Sequence, residues 1–345
     1  MFYASDNAGP VHPQIMATLA AGNNGYAMPY GADEIMDGVR DSLREIFEAP
    51  EAAIYLVATG TAANSLALAT MMQPWQTVFC SPMSHINEDE CNAPEFYSGG
   101  AKLTLVTGGD KMDPDALRNT IVGEETRGVH GPQRGPVSIT QVTELGGVQT
   151  LDQIRAQCAV AKEFGLPVHL DGARFANAQA ALGCTAAEMT WKAGVDVVSF
   201  GATKNGAMGV EAVIFFDPSH AWEFELRRKR GAHLFSKHRF LSAQMQGYLQ
   251  DSLWLDMARL SNGSAQVLAT GLQAAGATLL HPVEANMIFT SFPRAAHQRL
   301  HDAGAKYYIN SGVLEGDDPE EILSARLVCD WSATPAGIAE FLSHL

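Results

Sequence analysis

The stretch VVSFGATKNGAMG, residues 197–209, places one charged side chain, Lys204, among small, apolar and uncharged polar residues. The apolar run at 195–200 predicts a buried strand, and the glycines that follow it predict a tight turn. Most other lysines lie in polar contexts such as GGDKMDPD and RRKRG. Because desolvation favours the neutral amine, a lysine at the end of a buried strand is a candidate nucleophile. A solvated loop lysine is the alternative.

Six further apolar runs of strand length alternate with helical patterns before residue 220. The runs are 52–58, 76–80, 102–106, 136–140, 166–170 and 211–216, and the clearest helical patterns are 61–72 and 151–165. This alternation predicts an α/β fold with a mostly parallel, seven-stranded sheet that helices cover on both faces. Ligands of such sheets bind beyond the carboxyl ends of the strands, where we expect the turn of Lys204.

The pattern changes near residue 240. Two helical segments, 240–260 and 261–275, precede the strand-like runs TLLH, NMIFTSF and ARLVCDW and a closing helix, TPAGIAEFLSHL. We therefore expect a large domain over residues 1–240 and a smaller C-terminal α+β domain over residues 241–345.

The composition narrows the class of protein. Of the 345 residues, 46% are hydrophobic and 18% are charged, which is typical of a well-packed enzyme. The net charge of −15 argues against nucleic acid or an anionic membrane as partner. Five scattered cysteines without a CxxC pair predict free thiols and no metal site. No signal peptide or membrane span is predicted, so we expect a cytoplasmic protein.

Three more polar segments follow predicted strands. TGTAANS (59–65) is a turn into a helix, whose free N–H groups and Thr61 hydroxyl suit a phosphate. In SHINEDE (84–90), His85 and Asp89 would share a helix face, where they could stack on a ligand and move a proton. An acidic helix start that complements the helix dipole is the alternative there. In HLDGARFANA (169–178), Asp171 could pair with Arg174 or stabilise a cationic ligand nitrogen.

These features together fit one cofactor, pyridoxal 5′-phosphate. This cofactor needs a lysine for a Schiff base, an acid opposite its ring nitrogen and a cradle for its phosphate, and it gains from a ring that stacks on its face. The interval between Asp171 and Lys204 is long enough for one strand–helix–strand crossover. We therefore expect the two residues at the ends of neighbouring strands.

The sequence resembles the fold-type-I pyridoxal-phosphate enzymes, and among them the L-threonine aldolases of the β-eliminating lyase group. The matching segments run in family order over nearly the whole chain: ASDN (4–7), PYGAD (29–33), TGTAANSLAL (59–68), SHINEDE (84–90), HLDGARFANA (169–178), SFGATKNG (199–206) and ARLVCDW (325–331). The resemblance implies the aspartate aminotransferase-like fold and cleavage of L-threonine, L-allo-threonine and related β-hydroxy-α-amino acids to glycine and an aldehyde.

The resemblance also implies roles for individual residues. Lys204 would hold the cofactor, Asp171 would pair with its ring nitrogen, and His85 would stack on the ring. His85 and Asp89 would handle the proton of the substrate hydroxyl. The phosphate is expected at Gly60 and Thr61, and the substrate carboxylate at Ser5, Arg174 and Arg326, with Arg174 also near the cofactor's phenolic oxygen. Tyr30 and, by a looser match, Lys237 would reach a neighbouring subunit's site, so we expect at least a dimer and, as is common in this family, a tetramer.

Two positions depart from the commoner family pattern. Glu144, in ITQVTELGG (139–147), stands where many members carry a histidine near the substrate hydroxyl, and Asp89 stands where many carry a glutamate. Both positions concern proton transfer in the expected reaction.

Alternative functions are β-elimination or transamination with the same cofactor, a metal-dependent aldolase or hydrolase that uses His85, Glu88, Asp89 and His169, and a non-catalytic binding protein.

Overall fold

A seven-stranded sheet forms the centre of the larger part of the computed structural model, which describes all 345 residues. Its strands are β1 (Ala53–Val57), β2 (Gln76–Cys80), β3 (Lys102–Leu105), β4 (Gln133–Thr140), β5 (Val168–Gly172), β6 (Val197–Gly201) and β7 (Glu211–Phe215). All seven coincide with predicted apolar runs. Their spatial order is β1-β7-β6-β5-β4-β2-β3.

The direction of the strands defines one functional edge of this sheet. Strands β3, β2, β4, β5 and β6 are parallel, whereas β7 is antiparallel to both β6 and β1. The carboxyl ends of six strands therefore meet at one edge, together with the amino end of β7, and we call this the functional edge. The prediction of a mostly parallel sheet is confirmed.

Ten helices accompany this sheet. They are α1 (Pro13–Gly22), α2 (Glu34–Ile46), α3 (Gly60–Thr70), α4 (His85–Glu88), α5 (Ala93–Ser98), α6 (Pro114–Gly123), α7 (Leu151–Glu163), α8 (Phe175–Leu182), α9 (Ala186–Met189) and α10 (Ala221–Arg230). Helix α3 is buried along nearly its whole length, which explains its almost uniformly small and apolar sequence. The side chains of Thr150 and Gln153 form a capping box that begins α7.

The C-terminal part contains a second, smaller sheet. It follows α11 (Arg239–Leu249) and α12 (Leu253–Ala274) and comprises β8 (Thr278–Leu279), β9 (Met287–Pro293), β10 (Tyr308–Ser311) and β11 (Ile322–Val328), with α13 (Arg294–Asp302) and α14 (Pro335–Ser343). The order is β10-β11-β9-β8, and all pairs are antiparallel. Strand β10 was not predicted, because its largely exposed residues form no apolar run.

The domain boundary at residues 240 and 241 stays a prediction, because the two hydrophobic cores interleave along the chain. Helix α11 and strand β9 contribute to the large core, with Tyr248 and Met287 as examples, whereas the smaller core includes Tyr3 and the part of α12 from Ala265 onward. The break between these two helices lies at 250–252, where Asp251 and Ser252 adopt left-handed backbone angles. We expected this break near residue 260. No helix is both long enough and apolar enough to cross a bilayer.

Candidate active site

A cavity of about 240 Å³ opens at the functional edge of the large sheet. Five of the predicted site residues line it: Gly60, Thr61, His85, Asp171 and Lys204. They come from four separate stretches of the chain, and the strand order brings them together because β1, β5 and β6 all end at this edge. This convergence is the arrangement expected for a ligand site of an open α/β sheet.

Lys204 lies in a short turn that directly follows β6. The turn is held by Asn205, whose Nδ2 donates to the Tyr248 hydroxyl at 2.9 Å and to the Trp254 carbonyl at 2.8 Å. The Tyr248 hydroxyl in turn donates to the Gly201 carbonyl at 3.1 Å. These buried hydrogen bonds fix the backbone from which the half-buried side chain of Lys204 reaches the cavity.

Asp171 is a buried carboxylate on β5, the neighbour of β6. Its Oδ1 accepts from the N–H of Ala173 at 3.0 Å, and its Oδ2 accepts from Nδ2 of Asn64 at 2.9 Å. No ion pair joins it to Arg174, so the structure does not adopt that alternative. A buried carboxylate with neutral partners and access to the cavity is suited to a cationic ligand nitrogen.

His85 begins α4 and forms part of a hydrogen-bonded chain that ends at Asp171. Its Nδ1 lies 2.9 Å from Oε1 of the buried Glu90, which also accepts from Nδ2 of Asn64 at 2.9 Å. The hydrogen bond with Glu90 is the main reason why the pKa of His85 is raised, against the opposing effect of burial. The arrangement orients the imidazole, which lines the cavity, and leaves Nε2 without a hydrogen-bond partner.

The expected partnership of His85 with Asp89 is wrong in this structure. Asp89 is the C-cap of α4, and its N–H donates to the His85 carbonyl at 2.9 Å, but no hydrogen bond joins the two side chains. Asp89 is exposed, whereas the chain turns back and buries Glu90 against the histidine. Glu90 therefore occupies the position that we expected for Asp89.

The predicted phosphate turn begins α3. The Thr59 side chain accepts from the N–H of Ala62 at 3.1 Å, so the N–H groups of Gly60 and Thr61 have no partner within the helix. The space that a Cβ atom on Gly60 would occupy is open to 4 Å. A phosphate could therefore approach the helix N-terminus closely.

The predicted carboxylate-binding residues lie beside the cavity rather than on its lining. Arg174 donates from Nε and Nη2 to Asp6 at 2.7 and 3.0 Å, which leaves Nη1 free for another acceptor. Nε of Arg326 is buried without a partner, and its Nη2 makes a long contact of 3.4 Å with the Ala4 carbonyl. The Ser5 hydroxyl caps the adjacent turn by accepting from Asn7.

Tyr30 and Lys237 are exposed and do not line this cavity. They lie on neighbouring loops, which are joined by a hydrogen bond of 3.1 Å from the Tyr30 N–H to the Ser236 carbonyl. The two side chains therefore occupy one surface of the molecule, from which they could reach a second chain.

Several functional residues were missed in the sequence. Asn64, Glu90 and Glu211 face the cavity or its hydrogen-bonded chain, and Asp6 holds Arg174. Asn64, Asp6 and Glu90 lie inside the quoted segments TGTAANSLAL, ASDN and SHINEDE, and this location was the only sign in the sequence that they belong to the site. Glu144, noted as a departure from the family, does line the cavity.

The residues of the metal-dependent alternative do not converge. His169 is buried between two hydroxyls, with Nδ1 3.0 Å from Ser138 and Nε2 3.0 Å from Ser199, and burial lowers its pKa to about 4. Glu88 and Asp89 are exposed. Both ring nitrogens of His169 are therefore engaged, and no cluster of three potential metal ligands exists.

The cavity thus combines a lysine, a buried acid, an orientable imidazole and a helix N-terminus, which defines an enzyme site for Schiff-base chemistry on a phosphorylated cofactor. Residues 3–294 match the β-eliminating lyase family model. The chain is 40% identical to a low-specificity L-threonine aldolase from Pseudomonas sp. (strain NCIMB 10558), over 99% of this chain and 96% of that protein. It is 41% identical to one from Pseudomonas aeruginosa, over 95% and 92%.

A solved structure of a threonine aldolase from Leishmania major superposes with a TM-score of 0.91 at 25% identity, over 99% of this chain and 97% of that one. The chain belongs to the β-eliminating lyase family. The family and the fold-type-I architecture predicted from the sequence are confirmed, and pyridoxal 5′-phosphate is the cofactor that they imply.

Proposed function

We propose that this protein is a pyridoxal-phosphate-dependent aldolase. It cleaves L-threonine, L-allo-threonine and related β-hydroxy-α-amino acids such as phenylserine between Cα and Cβ, and it releases glycine and an aldehyde. The observation that carries the proposal is the convergence of Lys204, Asp171, His85 and the α3 turn in one cavity. The names of the relatives support the same reaction.

The residues of this chain fit the cofactor. Lys204 would provide the amine, Asp171 would pair with the ring nitrogen, His85 would pack on the ring, and the N–H groups of Gly60 and Thr61 would bind the phosphate. When bound, pyridoxal 5′-phosphate supplies a carbonyl carbon for attachment of the amino acid and an electron sink for the breaking bond. The carboxylate of Asp171 would keep the ring nitrogen protonated and so strengthen that sink.

Arginine side chains orient the substrate carboxylate. Arg326 has a buried, unpartnered Nε, and Arg174 has a free Nη1, so both can donate to a carboxylate without losing an existing strong bond. Ser5 adds a hydroxyl from the neighbouring turn. Fixing the carboxylate determines which bond of Cα is aligned for cleavage.

His85 takes the proton from the substrate's β-hydroxyl at Nε2, directly or through a water molecule. Glu90 holds Nδ1 and stabilises the imidazolium that results. Asp89, which we expected in this supporting role, is exposed and takes no part in it. Glu144 lies half-buried in the cavity wall near the guanidinium of Arg174, where it contributes to the choice between threo and erythro substrates.

The active unit is a homo-oligomer, at least a dimer and in this proposal a tetramer. The exposed Tyr30 and Lys237 extend to the cavity of a neighbouring chain, where Lys237 adds a positive charge near the phosphate. The acidic surface charge and the scattered free cysteines support a cytoplasmic location.

The test compares two lysine variants. Lys204→Ala should lose the visible absorption of the lysine-bound cofactor that borohydride abolishes, and turnover should fall by at least about 10³-fold. Lys192→Ala is the matched control, because Lys192 is exposed, pairs with Glu48 and lies over the Trp191 ring, and it does not line the cavity. With L-allo-threonine, the wild type should produce glycine and acetaldehyde. A keto acid with ammonia would indicate β-elimination instead, and an amino-group transfer product would indicate transamination.

A further inference from the structure

Glu211 is a buried carboxyl in the cavity wall to which the proposed reaction assigns no role. It is the first residue of β7, the strand that runs antiparallel between β1 and β6. Its register partners are Val57, at the end of β1, and Gly201, at the end of β6. Because β7 runs in the opposite direction, its first residue lies at the functional edge, where its neighbours end.

This position places Glu211 between two parts of the cofactor site. Strand β1 leads to the turn of Gly60 and Thr61, and β6 leads to Lys204. The Oε2 atom of Glu211 accepts from the N–H of Ala202 at 2.7 Å, and the side chain lines the same cavity as Thr61 and Lys204. A carboxyl group is therefore built into the wall beside the place where a phosphate dianion is expected.

The charges around Glu211 are few. The turn after β6 contributes Lys204, α11 contributes the buried Tyr248, and the turn at 58–61 contributes no ionisable side chain. His85, Glu144 and Asp171 lie elsewhere on the cavity wall. Burial raises the pKa of Glu211 to about 7, although hydrogen bonds from Thr203 and Ala202 and the charge of Lys204 act in the opposite direction.

We propose that Glu211 takes up a proton from solvent when the phosphate of the cofactor binds, so that a neutral carboxylic acid stands beside the phosphate in the holoenzyme. This inference rests on the cofactor of the proposed function. A carboxylate and a phosphate dianion in one small cavity repel each other, and protonation of the carboxyl group removes that repulsion. The neutral acid also gains an O–H donor, which an ionised carboxylate lacks.

A defined pH dependence follows from this proton uptake. Below about pH 7, Glu211 is already protonated without the cofactor, and its contribution to affinity is constant. At higher pH a proton must be taken from solvent for each phosphate bound, so the affinity should fall by up to about tenfold per pH unit. Glu211→Gln, which is neutral at every pH, should not show this loss.

Pyridoxamine 5′-phosphate is the suitable probe, because it carries the same ring and phosphate but forms no bond with Lys204. Calorimetric titration of the cofactor-free protein at pH 8 in two buffers of different ionisation enthalpy counts the protons taken up. The wild type should take up close to one proton more per site than Glu211→Gln. Glu144→Gln, which removes another carboxyl from the same cavity, should behave like the wild type in this count.

Infrared difference spectra of the holoenzyme provide a second readout. At pH 8, the wild type minus Glu211→Gln should show the C=O band of a protonated carboxyl. If Glu211→Gln fails to fold, the two probes are compared on the wild type alone. Extra proton uptake with pyridoxamine 5′-phosphate, relative to pyridoxamine without phosphate, then supports the proposal. Equal proton counts, or a carboxylate band from Glu211 in the holoenzyme, would overturn it. A protein that binds neither probe at any pH would instead refute the proposed function.

Discussion

At the scale of single residues, a hydrogen-bonded chain links His85 to Asp171. Glu90 and Asn64 connect the imidazole to the carboxylate, and both of these groups line the cavity. Nδ2 of Asn64 donates to both carboxylates, which would otherwise repel each other in a region of low dielectric. The orientation of His85 and the charge of Asp171 are therefore coupled through one amide.

Glu90→Gln tests this chain, with Asp89→Asn as the matched control. Loss of the Glu90 carboxylate should lower the pKa of His85, because the hydrogen bond with Glu90 is the largest cause of its rise. The acidic limb of the pH profile of kcat/KM should then shift to lower pH, and kcat/KM should fall at least about tenfold at neutral pH. Asp89→Asn should change neither quantity by more than about twofold. Equal effects of the two variants would contradict the assignment of Glu90.

At the scale of elements, the turn after β6 depends on a helix that is distant in sequence. Tyr248 of α11 accepts from Asn205 and donates to Gly201, so one hydroxyl closes the turn that carries Lys204. The hydroxyl is fully buried, and burial strongly raises its pKa, so it remains a neutral donor at physiological pH. Helix α11 therefore positions the lysine as well as packing against the large core.

Tyr248→Phe should destabilise the protein by about 1–3 kcal/mol, because it leaves the buried Gly201 carbonyl without this donor and one N–H of the Asn205 amide without an acceptor. Urea unfolding of the cofactor-free chain measures this loss of free energy. Tyr26→Phe removes a fully exposed hydroxyl and should leave the free energy of unfolding unchanged. A Tyr248→Phe variant as stable as the wild type would mean that the turn is held by its own backbone.

At the scale of the whole molecule, the N-terminal segment joins the two parts of the fold. Tyr3 packs in the smaller core, and its N–H donates to the Lys306 carbonyl at 2.7 Å. A few residues later, Asp6 accepts from Arg174 of the large part and from Asn286, just before β9, at 3.0 Å. One buried carboxylate therefore links Arg174 of the large part to Asn286 beside the smaller sheet.

Asp6→Asn should be strongly destabilising, by about 3–5 kcal/mol at neutral pH, because it leaves the Arg174 guanidinium buried without its counter-charge. Burial alone would raise the pKa of Asp6, but the charge and hydrogen bonds of Arg174 outweigh burial and lower it. The stabilising effect is therefore complete above the ordinary value of 3.8 and is lost as the pH falls through the lower folded value.

Urea titrations of the wild type and Asp6→Asn at pH 7, 4 and 3 measure that dependence. The difference in the free energy of unfolding should be largest at pH 7 and should narrow only at the acidic end. A difference that stays constant with pH would mean that Asp6 contributes through packing rather than through its charge.

The sequence by itself determined the local features of this protein. Apolar runs bounded by turns gave all seven strands of the large sheet, because a strand buried on both faces needs a continuous apolar stretch. The motifs that follow those strands predicted five residues that line the cavity, because ligand-binding residues of an α/β sheet lie where parallel strands end. They are Lys204, Asp171, His85, Gly60 and Thr61. The resemblance of these motifs also gave the family.

Only the tertiary structure decided which side chains face one another. The choice of Glu90 over Asp89 depends on where a one-turn helix ends, and the pairing of Arg174 with Asp6 joins residues that are 168 positions apart. The role of Glu211 depends on β7 running antiparallel, which reverses the end at which its first residue lies. Such partners depend on strand order and chain reversal, which local patterns do not encode, so spacing alone could not predict them.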